Sequence, residues 1–274
     1  MFSFLDSIYS FNKDCLSLKP KTEVGGRRLT GICLLLLWFG SGMAGASSII
    51  KISGNQSSRL VISDDQTVEN EGSVSFKDII SLDQKGGAIF VSSGGTLNFD
   101  GGTEGPEGAI VFQNNYTGID GGAIYVGSNA AATLRGNIKF EGNTAPYHDG
   151  GAIFVASGGT LNINGGTEGP EGAILFQDNS GSHAGTIYVE EGATAVLRGD
   201  IKFFKNGWGT IYNEGTLEFI LETGNQIEFQ GTVGEYDIYD RGTVHLDCVT
   251  GSVIKFSRGI GMWAYLLVSK SKHL

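Results

Sequence analysis

Two tetrapeptides, GGAI and F-x-x-N, alternate along this chain of 274 residues, and their alternation restricts its fold more than any other feature. GGAI occurs as Gly86-Gly87-Ala88-Ile89, Gly121-Gly122-Ala123-Ile124 and Gly150-Gly151-Ala152-Ile153, then weakens to AGTI at Ala184 and WGTI at Trp208. F-x-x-N occurs at Phe112–Asn115, Phe140–Asn143, Phe176–Asn179 and Phe203–Asn206. Phenylalanines at 76, 229 and 256 keep the rhythm without the asparagine, and the seven are spaced by 36, 28, 36, 27, 26 and 27 residues. A period of this size marks a stacked array of one small unit that cannot bury its apolar face alone.

Each unit holds three short runs with alternating polarity. The first is AIFV, AIYV or TIYV; the second is TLNF, TLRG, TLNI or VLRG; the third is AIVF, NIKF, AILF or DIKF. Clusters of Gly, Asn, Asp and Ser separate them, and no apolar pattern of helical period intervenes. The pattern predicts an all-β fold, a right-handed parallel β-helix of about seven three-strand coils. Alternation turns Ile110, Phe112, Ile138, Phe140, Ile174, Phe176, Ile201, Phe203, Ile227 and Phe229 inward. It does the same for Leu97, Leu134, Leu161, Leu197 and Leu217, and for the GGAI isoleucines with Ile187 and Ile211. The glycines of GGAI suit turns with positive φ, and the asparagine of F-x-x-N is expected to take the left-handed conformation that closes the third strand.

The first 46 residues differ in kind. Arg27 and Arg28 precede an apolar run from Leu29 to Phe39, and small residues follow, ending Ala44-Gly45-Ala46. This order reads as a secretory signal with a long leader, cleaved after Ala46, and the run is shorter than a membrane span. The expected organisation is a signal peptide at 1–46, a solenoid at 47–258, and a tail or cap at 259–274. The chain carries a formal charge of −10. Removing 1–46 takes away five basic and three acidic residues from 19 and 29, leaving 14 against 26, or −12. Such a surface argues against nucleic acid as a partner. Of three cysteines only Cys248 lies beyond the signal, too few for an internal disulfide.

Interleaved GGAI and F-x-x-N motifs in a glycine-rich, exported chain resemble the passenger repeats of the chlamydial polymorphic membrane proteins, over roughly Val74 to Phe256. The resemblance implies an autotransporter plan: a signal peptide, a β-helical passenger acting as a surface adhesin, and an outer-membrane barrel. The residues after Phe256 offer no series of alternating ten-residue strands. A truncated or split member is therefore expected, exported to the cell surface, outer membrane or medium. Its implied partner is a host-cell or cell-surface receptor, with self-association through the open solenoid end as a further expectation.

Catalysis has weaker support in the sequence. Parallel β-helices also serve exported polysaccharide lyases and hydrolases, the alternative reading here. Glu104, Glu107, Glu168 and Glu171 sit in duplicated GGTEGPEG loops, whereas paired catalytic carboxylates form one asymmetric site. Asp100, Asp120 and Asp149 fit turn positions. His148, His183 and His245 share no metal-ligand spacing with Cys248, so neither a metal nor a cofactor is expected. The feature suited to binding is an outward ladder of Phe90, Tyr125, Phe154, Tyr188 and Tyr212, one residue after each first-run isoleucine. Such a stripe either adheres to a partner or stiffens the wall by stacking.

Overall fold

The computed structural model describes residues 48–102, 110–166, 174–262 and 265–269. The expected signal segment with its expected cleavage site at Ala46, both TEGPEG loops with their four glutamates, and the last residues of the chain lie outside this set. The described strands pair in parallel and stack into a parallel β-helix. The first wall is an eight-stranded sheet running from Leu60–Ile62 through Ile89–Val91, Ile124–Val126 and later coils to Ile260–Met262. The second and third walls belong to one 15-stranded sheet, because the strand Gln66–Lys77 pairs with Thr96–Asp100 at one end and with Ile110–Gln113 at the other.

A fourth ladder of two-residue strands, Ile80–Ser81, Tyr116–Thr117, Thr144–Ala145 and Ser180–Gly181, follows the F-x-x-N positions. No sequence signal announces it, since two residues are too few to show a period.

The inward residues expected from alternation are all buried. The third wall aligns Phe76, Phe112, Phe140, Phe176, Phe203 and Phe229 in register. With Phe256 their rings form a continuous stack, centroids 4.7 to 5.2 Å apart and planes within 2° to 14° of parallel. The spacing follows from the strand separation in a parallel sheet, and offset stacking adds to the burial of each ring.

The register of the second wall differs from an alignment of the tetrapeptides. Leu97 faces Ala132, and Leu134 faces Phe99, so TLNF lies against AATL rather than against TLRG. The shift is two residues. Because the side-chain period is also two, every leucine still points inward. One row then reads Leu97, Ala132, Leu161, Ala195, Leu217, and its neighbour Phe99, Leu134, Ile163, Leu197, Phe219.

The two glycines of GGAI have different jobs. Gly86, Gly121 and Gly150 hold φ between 67° and 73°, the left-handed region that a β-carbon disfavours. Gly122 has no such φ; there a β-carbon would overlap the Gly151 carbonyl oxygen of the next coil and lie 2.6 Å from the Thr144 nitrogen. Gly122→Ala therefore pushes stacked backbones apart. Its expected loss is about 1–3 kcal/mol, read as a lower urea midpoint.

The asparagine of F-x-x-N does not adopt the left-handed conformation. That falls to the residue before it: Asn114, Gly142, Asp178 and Lys205, with φ of 53°, 64°, 53° and 53°. The kink turns the asparagine itself inward, where Asn115, Asn143, Asn179 and Asn206 are buried and form a ladder. Asn143 shows the pattern. Its Oδ1 accepts from the backbone N–H of Asn115 (3.1 Å) and from Asn115 Nδ2 (2.9 Å). Its Nδ2 donates to the Phe112 carbonyl and to Asn179 Oδ1, both at 3.0 Å. A primary amide has two donor hydrogens and two acceptor lone pairs, and here all four are used.

Two strands of the expected tail or cap lie on the last coil. Ile260–Met262 pairs with Ile238–Asp240 on the first wall, and Tyr265–Ser269 pairs with Thr243–Cys248 on the second. Ile260, Met262, Tyr265, Leu266, Leu267 and Val268 fall on strand positions despite the irregular turn spacing. Asp237 fastens this last coil. Its carboxylate accepts from Thr232 Oγ1 (2.6 Å), Ser257 Oγ (2.9 Å), Arg258 N (2.6 Å) and Gly259 N (2.9 Å).

Burial opposes the charge on Asp237, but the four donors outweigh it and hold the carboxyl below its ordinary value. A lowered folded pKa gives stability that is complete above the unfolded carboxylate value of about 4 and lost as pH falls through the folded one. Hydrogen exchange at the Arg258 and Gly259 amides should accelerate beyond its ordinary pH trend below about pH 4. Asp237→Ala, which removes the acceptor, should expose both amides already at neutral pH, at a loss of about 1.5–3 kcal/mol.

Candidate binding surface

Along the first wall, side chains on the core side alternate with an outward row. Phe90, Tyr125, Phe154, Tyr188 and Tyr212 occupy that row in register, since each follows a buried isoleucine in strands that pair residue for residue. Phe90 lies tilted by 31° against Tyr125 at 5.5 Å, and the following rings stack at centroid distances of 5.1, 5.0 and 5.0 Å. The row extends one rung further to Tyr239, 4.9 Å from Tyr212, a member that the sequence reading missed although DIYD repeats the motif.

Most of the row is occupied internally. Tyr125 and Phe154 are only 6% exposed and form an apolar cluster of their own, with Phe90 and Tyr188 packed against it. Arg59 lies 5.1 Å from the centre of the Phe90 ring, and Lys85 donates to the Tyr125 hydroxyl at 2.8 Å. The Tyr188 hydroxyl donates to Glu214 at 2.7 Å; burial and then this carboxylate push the phenol up from its ordinary pKa. The first four rings thus stiffen the wall. The accessible part is elsewhere.

It is the C-terminal end of the row. The rung after Tyr239 carries Gly261 at the aromatic position, and the ring of Tyr236 lies against that glycine; a β-carbon there would meet ring carbons at 2.5 to 2.6 Å. Beside it opens a cleft of about 530 Å³ lined by Trp208, Tyr212, Tyr236, Tyr239, His183 and Arg241, with Glu235 and Ser182. Trp208 stands where three other coils have the first glycine of GGAI. It holds φ of 40° and is 70% exposed. A bulky residue in the left-handed region is uncommon and costs of order 1–3 kcal/mol. The GWGT stretch hinted at it, as a tryptophan inside a degraded glycine motif.

Among the carboxylates and histidines weighed for catalysis, Asp100, Asp120, Asp149, His148 and His183 are engaged in turns and in links between coils. Asp100 Oδ1 accepts from the Gly102 N–H at 2.9 Å, a local turn bond. Asp149 accepts from the backbone N–H of His183 (3.1 Å) and contacts its Nδ1 (2.8 Å). Asp120 lies 3.6 Å from His148 Nδ1 and 3.9 Å from Lys85 Nζ, with its carboxyl raised by burial against the pull of its donors and these cations. His245 stands apart on the second wall, opposite Glu218. Cys248 is half-buried, and burial pushes its thiol up from the ordinary value.

A solenoid of parallel strands that displays side chains on the outside of its walls is a repeat-scaffold protein. Residues 109–127 and 137–156 match the model of the Chlamydia polymorphic membrane protein repeat, so this part of the chain is similar to that family's repeats. Each matched segment holds one F-x-x-N and one GGAI, at Phe112 and Gly121 and at Phe140 and Gly150. Proteins of that family are associated with the outer membrane and cell surface, and the similarity supports an exported location. No curated protein and no solved structure matches the chain.

Proposed function

We propose that this chain is a non-catalytic, surface-displayed passenger whose first wall serves as an adhesive face toward a receptor on another cell. The observation that carries this reading is Trp208. The exposed, left-handed tryptophan replaces the glycine that relaxes the same turn elsewhere, and a costly residue at a solvent-facing cleft is accounted for by contact with a partner. Tryptophan, tyrosine and arginine, all present at this end of the ladder, are also the residues that most often dominate binding surfaces.

The test is binding of the purified, labelled full chain to cultured epithelial cells, beside incubation with acidic polysaccharides. Saturable binding competed by unlabelled protein, with no unsaturated or shortened products, is the expected result. Depolymerisation of a polysaccharide would instead make the chain an enzyme, and failure to bind cells would end the adhesive reading.

A further inference from the structure

We infer that the cleft at the C-terminal end of the aromatic ladder is a lectin-like subsite for a single neutral pyranose unit of a glycan. The inference deepens the adhesive reading and rests on it.

Ring geometry selects the ligand class. Tyr212 is stacked between Tyr188 at 5.0 Å and Tyr239 at 4.9 Å, so both its faces are taken. One face of Tyr239 is covered by Tyr212, and Tyr236 lies against Gly261, tilted 50° to Tyr239. His183 meets Tyr212 edge-on at 6.0 Å. Stacking leaves the tyrosines mainly their edges and hydroxyls to offer a ligand, while the exposed Trp208 indole, which also lines the cleft, is the ring with a face to offer. A quaternary ammonium needs several ring faces around it, which the stacking denies.

A pyranose needs the opposite arrangement. Its axial C–H face rests on one aromatic plane, and its equatorial hydroxyls meet donors and acceptors at the rim. Here the rim offers tyrosine hydroxyls, Ser182, Glu235 and Arg241. Charge narrows the class further. Arg241 lies 3.6 Å from Glu214, which offsets its charge, and the chain as a whole is at −10. An anionic sugar has little to attract it, so the ligand is neutral. The volume of about 530 Å³ falls in the range of small-ligand sites.

The experiment is saturation-transfer NMR and calorimetry on the purified full chain, with methyl glucoside, methyl galactoside, methyl mannoside and N-acetylglucosamine as probes. At least one is expected to receive transfer, strongest at ring C–H protons. Trp208→Gly installs the residue that three other coils use at this turn, so the fold is retained, and it should weaken that sugar at least tenfold. Tyr239→Phe, which removes one hydroxyl and keeps the stack, should weaken it by a smaller factor. The inference is overturned if no sugar binds, if Trp208→Gly binds as well as the parent chain, or if tetramethylammonium binds in place of every sugar. Cell binding measured in parallel separates the two levels. Adherence that survives Trp208→Gly unchanged sinks the cleft alone, whereas a parent chain that adheres to no cell sinks the adhesive reading beneath it.

Discussion

Asn143→Ala should lower the stability of the solenoid by about 3–5 kcal/mol, although it removes only a small polar side chain. The amide accepts from the backbone and side chain of Asn115 and donates to Phe112 and Asn179, at 2.9 to 3.1 Å, in a fully buried position. Truncation takes a partner from each of these groups, and a buried polar group without a partner costs about 1–3 kcal/mol. The measurement is a urea midpoint, with hydrogen exchange to locate the loss. Since coils in a solenoid touch mainly their neighbours, the accelerated amides should fall in the coils on either side of Asn143. Asn143→Asp separates polarity from packing. It keeps the shape, but an ionised carboxylate cannot donate, and its charge would be buried. Its folded pKa is then raised, so its stability deficit should shrink as pH falls, whereas that of the alanine variant should not. Similar stability for the parent chain and both variants would show that the ladder contributes nothing.

Phe140→Ala should have an effect of comparable size by a different route. The ring lies 4.7 Å from both Phe112 and Phe176 and is inaccessible to water. Regular backbone pairing holds the coils above and below it in register, which limits how far the cavity can collapse. A loss of about 3–5 kcal/mol is expected. The adjacent Lys139 points outward, in an ion pair with Glu141 at 3.0 Å that stays partly in water. Lys139→Ala should remain within about 0.5 kcal/mol. Equal melting shifts for the two would contradict the inward stack.

The sequence by itself determined the facing of nearly every strand residue and the position of every rung of the phenylalanine stack. Both are local properties. A period of two assigns the face, and Gly86, Gly121 and Gly150 declare turns that only a residue without a β-carbon adopts easily. Cross-coil relations were decided by the tertiary structure. The asparagine of F-x-x-N reads locally as a turn former, yet Asn143 takes its role from partners 28 and 36 residues away, and Gly142 before it makes the bend. The two-residue displacement of the second wall left the facing unchanged, so the pattern held no record of it. The aromatic row was legible as a row, but its division into a covered middle and an open end was not. That division depends on Lys85 reaching Tyr125 across 40 residues, and on Gly261 leaving Tyr236 room at the last rung. A repeat encodes what each coil does to its own backbone and faces. Register, cover and exposure arise only when coils 26 to 36 residues apart are stacked, because those contacts join residues that no short window of sequence contains.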